Sequence, residues 1–149
     1  MKLISCNFRM INNGVYRSGF AKSQEAYETA VKQVFEGLDK VEQILSQNRY
    51  LTGTDLTEAD VRLFTTLIRF DAVYVSHFKC NLKRIVDYPN IWGYVKELYE
   101  MPAFKSTTNF THIKNHYFMS HGEIKPSGIV PLGPDLVFDG KQERTNVGL

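Results

Sequence analysis

Apolar side chains recur every three or four residues between Ser23 and Asn48, and this spacing predicts a long amphipathic helix. Charged residues fill the intervening positions, so one face is expected to meet the core and the other to meet water. Ser23 has a side chain suited to the N-cap, and Asn48 lies near the predicted end. The apolar positions are Tyr27, Val31, Val34, Phe35, Leu38, Val41 and Leu45.

A second helix is predicted to begin at Thr57, after a tight connection from Arg49 to Asp55. Thr57 can accept a hydrogen bond from the amide of Asp60, and the Asp60 carboxylate can accept one from the amide of Thr57, which is the pattern of a capping box. Leu56 and Val61 occupy the two positions of a hydrophobic staple. Apolar residues cover much of the helix, which predicts a central position for it, and the expected core stripe is Val61, Phe64, Leu67, Ile68 and Val75.

Two further helices follow, and then a coil. Pro89 lies in the first turn of the third helix, where its missing N–H costs nothing, and Met101-Pro102 ends that helix. A short turn is expected around Phe104, and a fourth helix is predicted from Thr111 to Ser120. The residues after Gly122 are rich in proline and glycine, which predicts a coil that packs on the helices. The expected buried side of the third helix is Ile91, Trp92, Val95, Leu98 and Tyr99.

The pattern as a whole predicts an all-α fold that ends in the Pro/Gly-rich coil, with a mobile tail at 139–149. The chain has 149 residues, enough for one domain with a real core. Its net charge of +2 comes from interspersed acids and bases, so neither a nucleic-acid nor a membrane-surface partner is expected. No apolar stretch approaches the roughly 20 residues that cross a bilayer.

The two cysteines, Cys6 and Cys80, lie far apart, so no disulfide framework is expected and a cytoplasmic location is predicted. Neither belongs to a C-x-x-C motif or to a Cys-Pro sequence at a helix start, where the helix dipole would stabilise a thiolate. Cys80 is expected to be buried as a small hydrophobic residue. Cys6 has no positioned neighbour that would mark it as a nucleophile.

Other polar residues are weaker candidates for chemistry. The histidines His112, His116 and His121 could in principle bind zinc, but no glutamate and no fixed fourth ligand accompany them, so surface and capping roles are expected. Arg69 and Asp71 lie near the end of the central helix. We expect them to form a structural ion pair or a cap, without a part in catalysis.

The order of capping box, central helix and proline-started helix resembles the C-terminal domain of glutathione transferases. Five other segments narrow this resemblance to the glutathionyl-hydroquinone reductases, the xi class of that superfamily. The match runs from about Ile11 to about Phe138, which implies a domain of residues 11–138 and an atypical leader at 1–10. These segments are Asn12–Tyr16, Arg69–Tyr74, His77–Leu82, His112–Tyr117 and Ile129–Pro134.

Members of that class have two domains. A thioredoxin-like domain binds glutathione and carries the nucleophilic cysteine in a Cys-Pro-Trp sequence, and a helical domain supplies the aromatic pocket and the dimer contacts. The resemblance therefore implies that this chain is the helical domain without its partner, from a truncated gene model, a splice product or a fragment. It is expected to be inactive alone and to bind no cofactor of its own. The implied partners are the thioredoxin-like domain, an aromatic hydroquinone and a second copy in a homodimer, with glutathione as the cosubstrate of the full enzyme.

The same resemblance assigns roles to three tyrosines. Tyr16 matches the family's proton donor and acceptor, while Tyr74 and Tyr117 match tyrosines that lower the pKa of the nucleophilic cysteine by hydrogen bonding to its thiolate. Spacing alone favours a different interpretation, in which each is a core residue with a satisfied hydroxyl. A non-enzymatic interaction module, which associates through an exposed apolar face, is the alternative function.

Overall fold

A computed structural model describes residues 8–138 and residue 144. That part of the chain is helical and contains no strand, so the predicted all-α fold is confirmed. Two π-helical turns, Phe8–Asn12 and Phe70–Tyr74, and one 3-10 turn, Ile85–Asp87, accompany the α-helices. The α-helices are α1 (Asn13–Gly19), α2 (Gln24–Leu45), α3 (Glu58–Arg69), α4 (Pro89–Glu100), α5 (Pro102–Thr107) and α6 (Phe110–Ser120).

The core lies between α2, α3 and α4. Helix α2 packs on α1 along one side and on α4 along the other, and α6 packs on the π-helical turn that follows α3. Ser23 caps α2 as predicted, since its hydroxyl accepts a hydrogen bond of 3.2 Å from the amide of Ala26. The predicted face of α2 is buried at Val31, Val34, Phe35, Leu38, Val41 and Leu45, while Tyr27 is partly buried.

Asp60 joins three elements of the fold. The capping box of α3 is present, and the Asp60 carboxylate accepts a 2.8 Å hydrogen bond from the amide of Thr57. The same carboxylate accepts from the amide of Leu51, at 2.9 Å, and from the hydroxyl of Tyr94 on α4, at 2.9 Å. Asp60 is fully buried, so these bonds replace the water that its charge would otherwise hold.

Two other carboxylates cap helix starts from a distance. Glu42 on α2 accepts hydrogen bonds from the amides of Asn90 and Ile91, at 2.9 and 2.8 Å, and so fixes the first turn of α4. Asp71 accepts from the amides of Ile85 and Val86 at 2.6 and 3.1 Å, which makes it a cap of the 3-10 turn. Burial raises the pKa of the Asp71 carboxyl, and these two amides partly offset that effect.

Several details of the predicted pattern were wrong. Val61, predicted in the core stripe, is 45% exposed, because the stripe of α3 runs through Asp60, Leu63, Phe64 and Leu67 and turns Val61 outward. The turn expected around Phe104 is the short helix α5. On α4, Tyr94 is fully buried, whereas Trp92 and Tyr99 are only partly buried against the core.

The chain termini fall largely outside the described residues. The predicted leader at 1–10 is described only from Phe8, and Cys6 lies outside. The coil from His121 to Phe138 has turns but no helix or strand. Within the predicted tail only Arg144 is described, and its guanidinium donates to the carbonyls of Leu45 and Asn48 at 3.0 and 2.8 Å. In the described part of the chain, no helix combines the length and the apolar character needed to cross a membrane.

Candidate functional site

Tyr16 lies on α1, and two glycines of that short helix allow it to approach its neighbours. A Cβ atom at Gly14 would lie 2.7 Å from Val34 on α2, and one at Gly19 would lie 2.0 Å from the ring of Phe78. Both distances are too short for a larger residue unless the neighbour moves. Tyr16 itself packs against Phe78, with ring centroids 5.1 Å apart, and remains 41% exposed.

Tyr74 and Tyr117 reach the same place from other elements. Tyr74 ends the π-helical turn after α3, where the amide of Val75 donates to the carbonyl of Phe70 over 3.0 Å. The wider turn changes the direction of the side chains relative to a continuous α-helix, and such turns occur often at functional sites. Tyr117 comes from the buried face of α6. Phe78 stacks on the Tyr74 ring at 5.2 Å with an interplanar angle of 1°, which holds that ring in place.

The three hydroxyls form one chain. The hydroxyl oxygens of Tyr16 and Tyr117 are 2.6 Å apart, and those of Tyr74 and Tyr117 are 2.8 Å apart, so Tyr117 lies in the middle. Tyr74 is 2% exposed and Tyr117 is 4% exposed. Only the Tyr16 end of this tyrosine chain therefore opens to the surface.

Burial favours one direction of the hydrogen bonds in the tyrosine chain. A buried hydroxyl without an acceptor is costly, and both Tyr74 and Tyr117 are buried. When Tyr74 donates to Tyr117 and Tyr117 donates to Tyr16, each of these two hydroxyls has an acceptor. The hydroxyl hydrogen of Tyr16 is left to point toward the open side, where a ligand can accept it.

The electrostatics of the two inner phenols agree with this direction. Burial raises the pKa of Tyr74, and its neighbour Tyr117 raises it further. Burial also raises the pKa of Tyr117 to about 12, with the bond from Tyr74 acting in the opposite direction. Both inner phenols stay protonated at neutral pH and remain donors.

A pocket of about 370 Å³ opens beside the tyrosine chain. All three tyrosines line it, together with Asn12, Asn13 and Arg69. Of the two roles expected for Arg69 and Asp71, an ion pair or a cap, Asp71 has the second, since it caps the 3-10 turn. Arg69 donates to the carbonyl of Thr65 at 2.6 Å. Arg69 is therefore a pocket residue that the sequence pattern did not indicate. Its place inside the segment Arg69–Tyr74 was the available signal.

A pair of histidines lies behind the tyrosine pocket. The Nε2 atom of His77 is 3.1 Å from the Nδ1 atom of His121, and His77 is 2% exposed with its own Nδ1 atom unpaired. His121 lies at the C-cap of α6 and pairs there with His77. In the described part of the chain, no cluster of side chains that could hold a metal ion is found. Burial and the neighbouring His121 lower the pKa of His77 to about 4, and burial lowers that of His121.

This histidine pair should make folding sensitive to acid. Because the pKa of His77 is lower in the folded state than the ordinary 6.5, the unfolded chain binds the proton more readily. The contribution to stability is therefore complete above about pH 6.5 and is lost as the pH falls toward 4. Urea midpoints at pH 7 and pH 5 should differ more for the wild type than for His77→Phe. His112→Gln, an exposed histidine outside the pair, should keep the wild-type difference, and equal pH responses in all three proteins would contradict this prediction.

Cys80 is buried as predicted. It is fully inaccessible, and burial raises the pKa of its thiol to about 11, so it is a poor nucleophile at neutral pH. The described residues thus bring three phenols and a guanidinium to one pocket but no reactive thiol.

Comparison with known proteins agrees with this arrangement. The family profile described as "Glutathione S-transferase, C-terminal domain" matches residues 24–97. The glutathionyl-hydroquinone reductase YqjG of Escherichia coli K-12 is 60% identical over 124 residues, which cover 83% of this chain and 38% of that protein. The chain carries a glutathione S-transferase C-terminal domain.

Solved structures of glutathione transferases have the same fold as this C-terminal domain. A glutathione-bound structure of YqjG matches with a TM-score of 0.93 at 54% identity, over 97% of this chain and 47% of that one. The xi glutathione transferase of Phanerochaete chrysosporium matches with a TM-score of 0.88 at 54% identity, over 90% of this chain and 46% of that one. The predicted resemblance to the glutathionyl-hydroquinone reductases and the xi class is therefore confirmed. The chain spans about two fifths of the length of the curated relatives it matches.

Proposed function

We propose that this domain forms the aromatic side of an active site that reduces glutathionyl-hydroquinones to hydroquinones, with the nucleophilic cysteine and the glutathione site on a thioredoxin-like domain. The observation that carries the proposal is the tyrosine chain, in which only the Tyr16 hydroxyl is open to a ligand. The family relationship supplies the reaction, and the pocket supplies a place for the ring.

The reaction needs a proton at a defined carbon atom. The cysteine thiolate attacks the glutathione sulfur, an S–S bond forms, and the bond between that sulfur and the ring breaks. The electron pair of the broken bond goes to the ring carbon, which takes a proton from the Tyr16 hydroxyl to give the hydroquinone. A second glutathione then attacks the mixed disulfide, which releases oxidised glutathione and restores the cysteine.

Tyr74 and Tyr117 stabilise negative charge at the open end of the tyrosine chain. A thiolate that accepts from Tyr16 is supported by Tyr117 and Tyr74, since each hydrogen bond in a chain polarises the next. After Tyr16 has given up its proton, its phenolate oxygen accepts from Tyr117 in the same way. Hydrogen bonds to a charged form favour that form, and each is worth about 1.5–3 kcal/mol.

The proposal predicts that activity depends on the thioredoxin-like domain. The 149-residue chain alone should give no turnover of a glutathionyl-hydroquinone with glutathione, since its described residues offer no reactive thiol. The same chain joined to a xi-class thioredoxin-like domain should give turnover, measured as hydroquinone and oxidised glutathione released. A cysteine-to-serine variant of the added domain is the control and should be inactive.

The result also distinguishes the two functions. An inactive two-domain protein that still folds would contradict the enzymatic proposal and favour the alternative, a non-enzymatic interaction module. Exposed apolar side chains of the C-terminal coil support association in either case, and they include Ile129, Leu132 and Val137. Association as a homodimer and a cytoplasmic location remain proposals.

A further inference from the structure

Arg69 brings an uncompensated positive charge to the edge of the tyrosine pocket. The residue ends α3 and is partly buried, and its hydrogen bond to the carbonyl of Thr65 occupies the Nη1 atom. No acidic side chain lies within ion-pair distance of Arg69 among the described residues, although Asp71 is only two positions away in sequence. The other guanidinium nitrogen atoms remain available as donors.

The rest of the pocket contains no group that would repel an anion. None of the residues that line it is acidic, and its uncharged polar residues are the three tyrosines, two threonines, Asn12 and Asn13. Arg69 is its one charged lining residue. The positive charge of Arg69 also acts on Tyr117, where it lowers the cost of a negative charge on the phenol.

One exposed aromatic ring and one guanidinium favour a particular kind of ligand. The ring of Tyr16, which is 41% exposed and lines the pocket, offers a contact to an aromatic ring. A guanidinium presents a planar fork of donors that matches the two oxygen atoms of a carboxylate. A ring that contacts Tyr16 can therefore place an anionic substituent at Arg69.

We propose that Arg69 makes this pocket selective for aromatic ligands that carry an anionic oxygen group on the ring, with a ring carboxylate as the best fit. The inference rests on the proposed function, because it takes the tyrosine pocket as the aromatic site. It adds a substrate class, hydroquinones with an acidic substituent, and a residue that distinguishes them from neutral ones. We expect the charge to be worth about tenfold in affinity, the scale of one hydrogen bond to a charged partner at a partly exposed site.

The test compares two probes of nearly the same shape, one with an anionic carboxylate and one with a neutral carboxamide. The full 149-residue chain is titrated with 2,5-dihydroxybenzoate and with its neutral analogue 2,5-dihydroxybenzamide, and binding is followed by the amide NMR signals of residues that line the pocket. The wild type should bind the carboxylate about tenfold more tightly than the amide, and more weakly as salt is added. Arg69→Gln should bind both probes about equally, with the affinity for the amide unchanged within about twofold.

Two further variants control for charge and geometry. Arg69→Lys keeps the charge but loses the planar fork, so it should retain only part of the preference. Arg17→Gln removes a positive charge on α1 whose guanidinium donates to the carbonyl of Arg9 at 3.0 Å and is absent from the pocket lining, and it should keep the full preference. Thermal unfolding of each variant verifies that the domain is folded.

The outcomes separate the inference from the function it rests on. Equal binding of both probes by the wild type, or a preference that survives in Arg69→Gln, would overturn the role of Arg69 while leaving the aromatic pocket in place. If neither probe shifts the signals of the pocket residues, the pocket does not bind hydroquinones, and the proposed function fails together with the inference.

Discussion

Replacing Tyr16 with phenylalanine in the two-domain protein is expected to lower kcat for glutathionyl-hydroquinone reduction by about 10²–10⁴-fold, the usual contribution of a positioned general acid. The substitution keeps the ring that packs against Phe78 and removes the one hydroxyl whose hydrogen is free to reach a ligand. Water would have to deliver the proton to the ring carbon instead. Substrate binding depends mainly on the ring, so KM should change much less than kcat.

The matched control is Tyr27→Phe. The Tyr27 hydroxyl donates to the carbonyl of Lys79 at 2.7 Å, outside the pocket, so its loss should leave kcat within about twofold of the wild type. Steady-state rates and single-turnover release of the hydroquinone would measure both variants. A Tyr16→Phe enzyme with wild-type single-turnover kinetics would rule out Tyr16 as the proton donor, and water or another residue would then supply the proton.

The features of this fold that depend on neighbouring residues could be predicted from sequence. The Thr57 and Asp60 box, the Ser23 cap and the stop at Met101-Pro102 each involve residues within three positions of one another, and the structure contains all of them. The error at Val61 has a physical reason. A valine is more apolar than an aspartate, so the pattern placed Val61 in the core. The buried stripe passes through Asp60 instead, because hydrogen bonds such as the one from Tyr94 satisfy its carboxylate in the core.

The features that depend on distant residues could not be predicted in this way. The hydroxyls of Tyr16 and Tyr117 meet across 101 positions, and the rings of His77 and His121 meet across 44. Periodicity gives each of these residues a face on its own helix but not the partner that it meets there. A hydrophobic pattern of period 3.6 also cannot predict the π-helical turn before Val75, although this turn sets the direction of the Tyr74 side chain. From the sequence, only the family resemblance predicted that the three tyrosines belong to one site.

Asp60→Ala should destabilise the domain by about 3–5 kcal/mol, the range for a buried charged group whose partners are left unpaired. Four donors lose their acceptor: the amides of Leu51 and Thr57, the hydroxyl of Thr57, and the hydroxyl of Tyr94. Tyr94 is the costliest of these, because its side chain is fully buried. Urea unfolding at pH 7 measures the change, which would be a large share of the roughly 5–15 kcal/mol of a typical domain.

Two comparisons show whether Asp60 acts as this buried acceptor. Asp87→Ala removes the same type of side chain from the same position of the capping box of the 3-10 turn, where Asp87 accepts from the amide of Arg84 at 3.2 Å. Asp87 is exposed, so the loss of stability should be clearly smaller than for Asp60→Ala. In the double variant Asp60→Ala with Tyr94→Phe, the hydroxyl that lost its acceptor is also gone. The combined loss should then be smaller than the sum of the two single losses, since each single variant loses the same hydrogen bond between Tyr94 and Asp60. Strict additivity, or a loss below about 1 kcal/mol for Asp60→Ala, would mean that water or another acceptor replaces this carboxylate and that Asp60 does not hold α3 to α4.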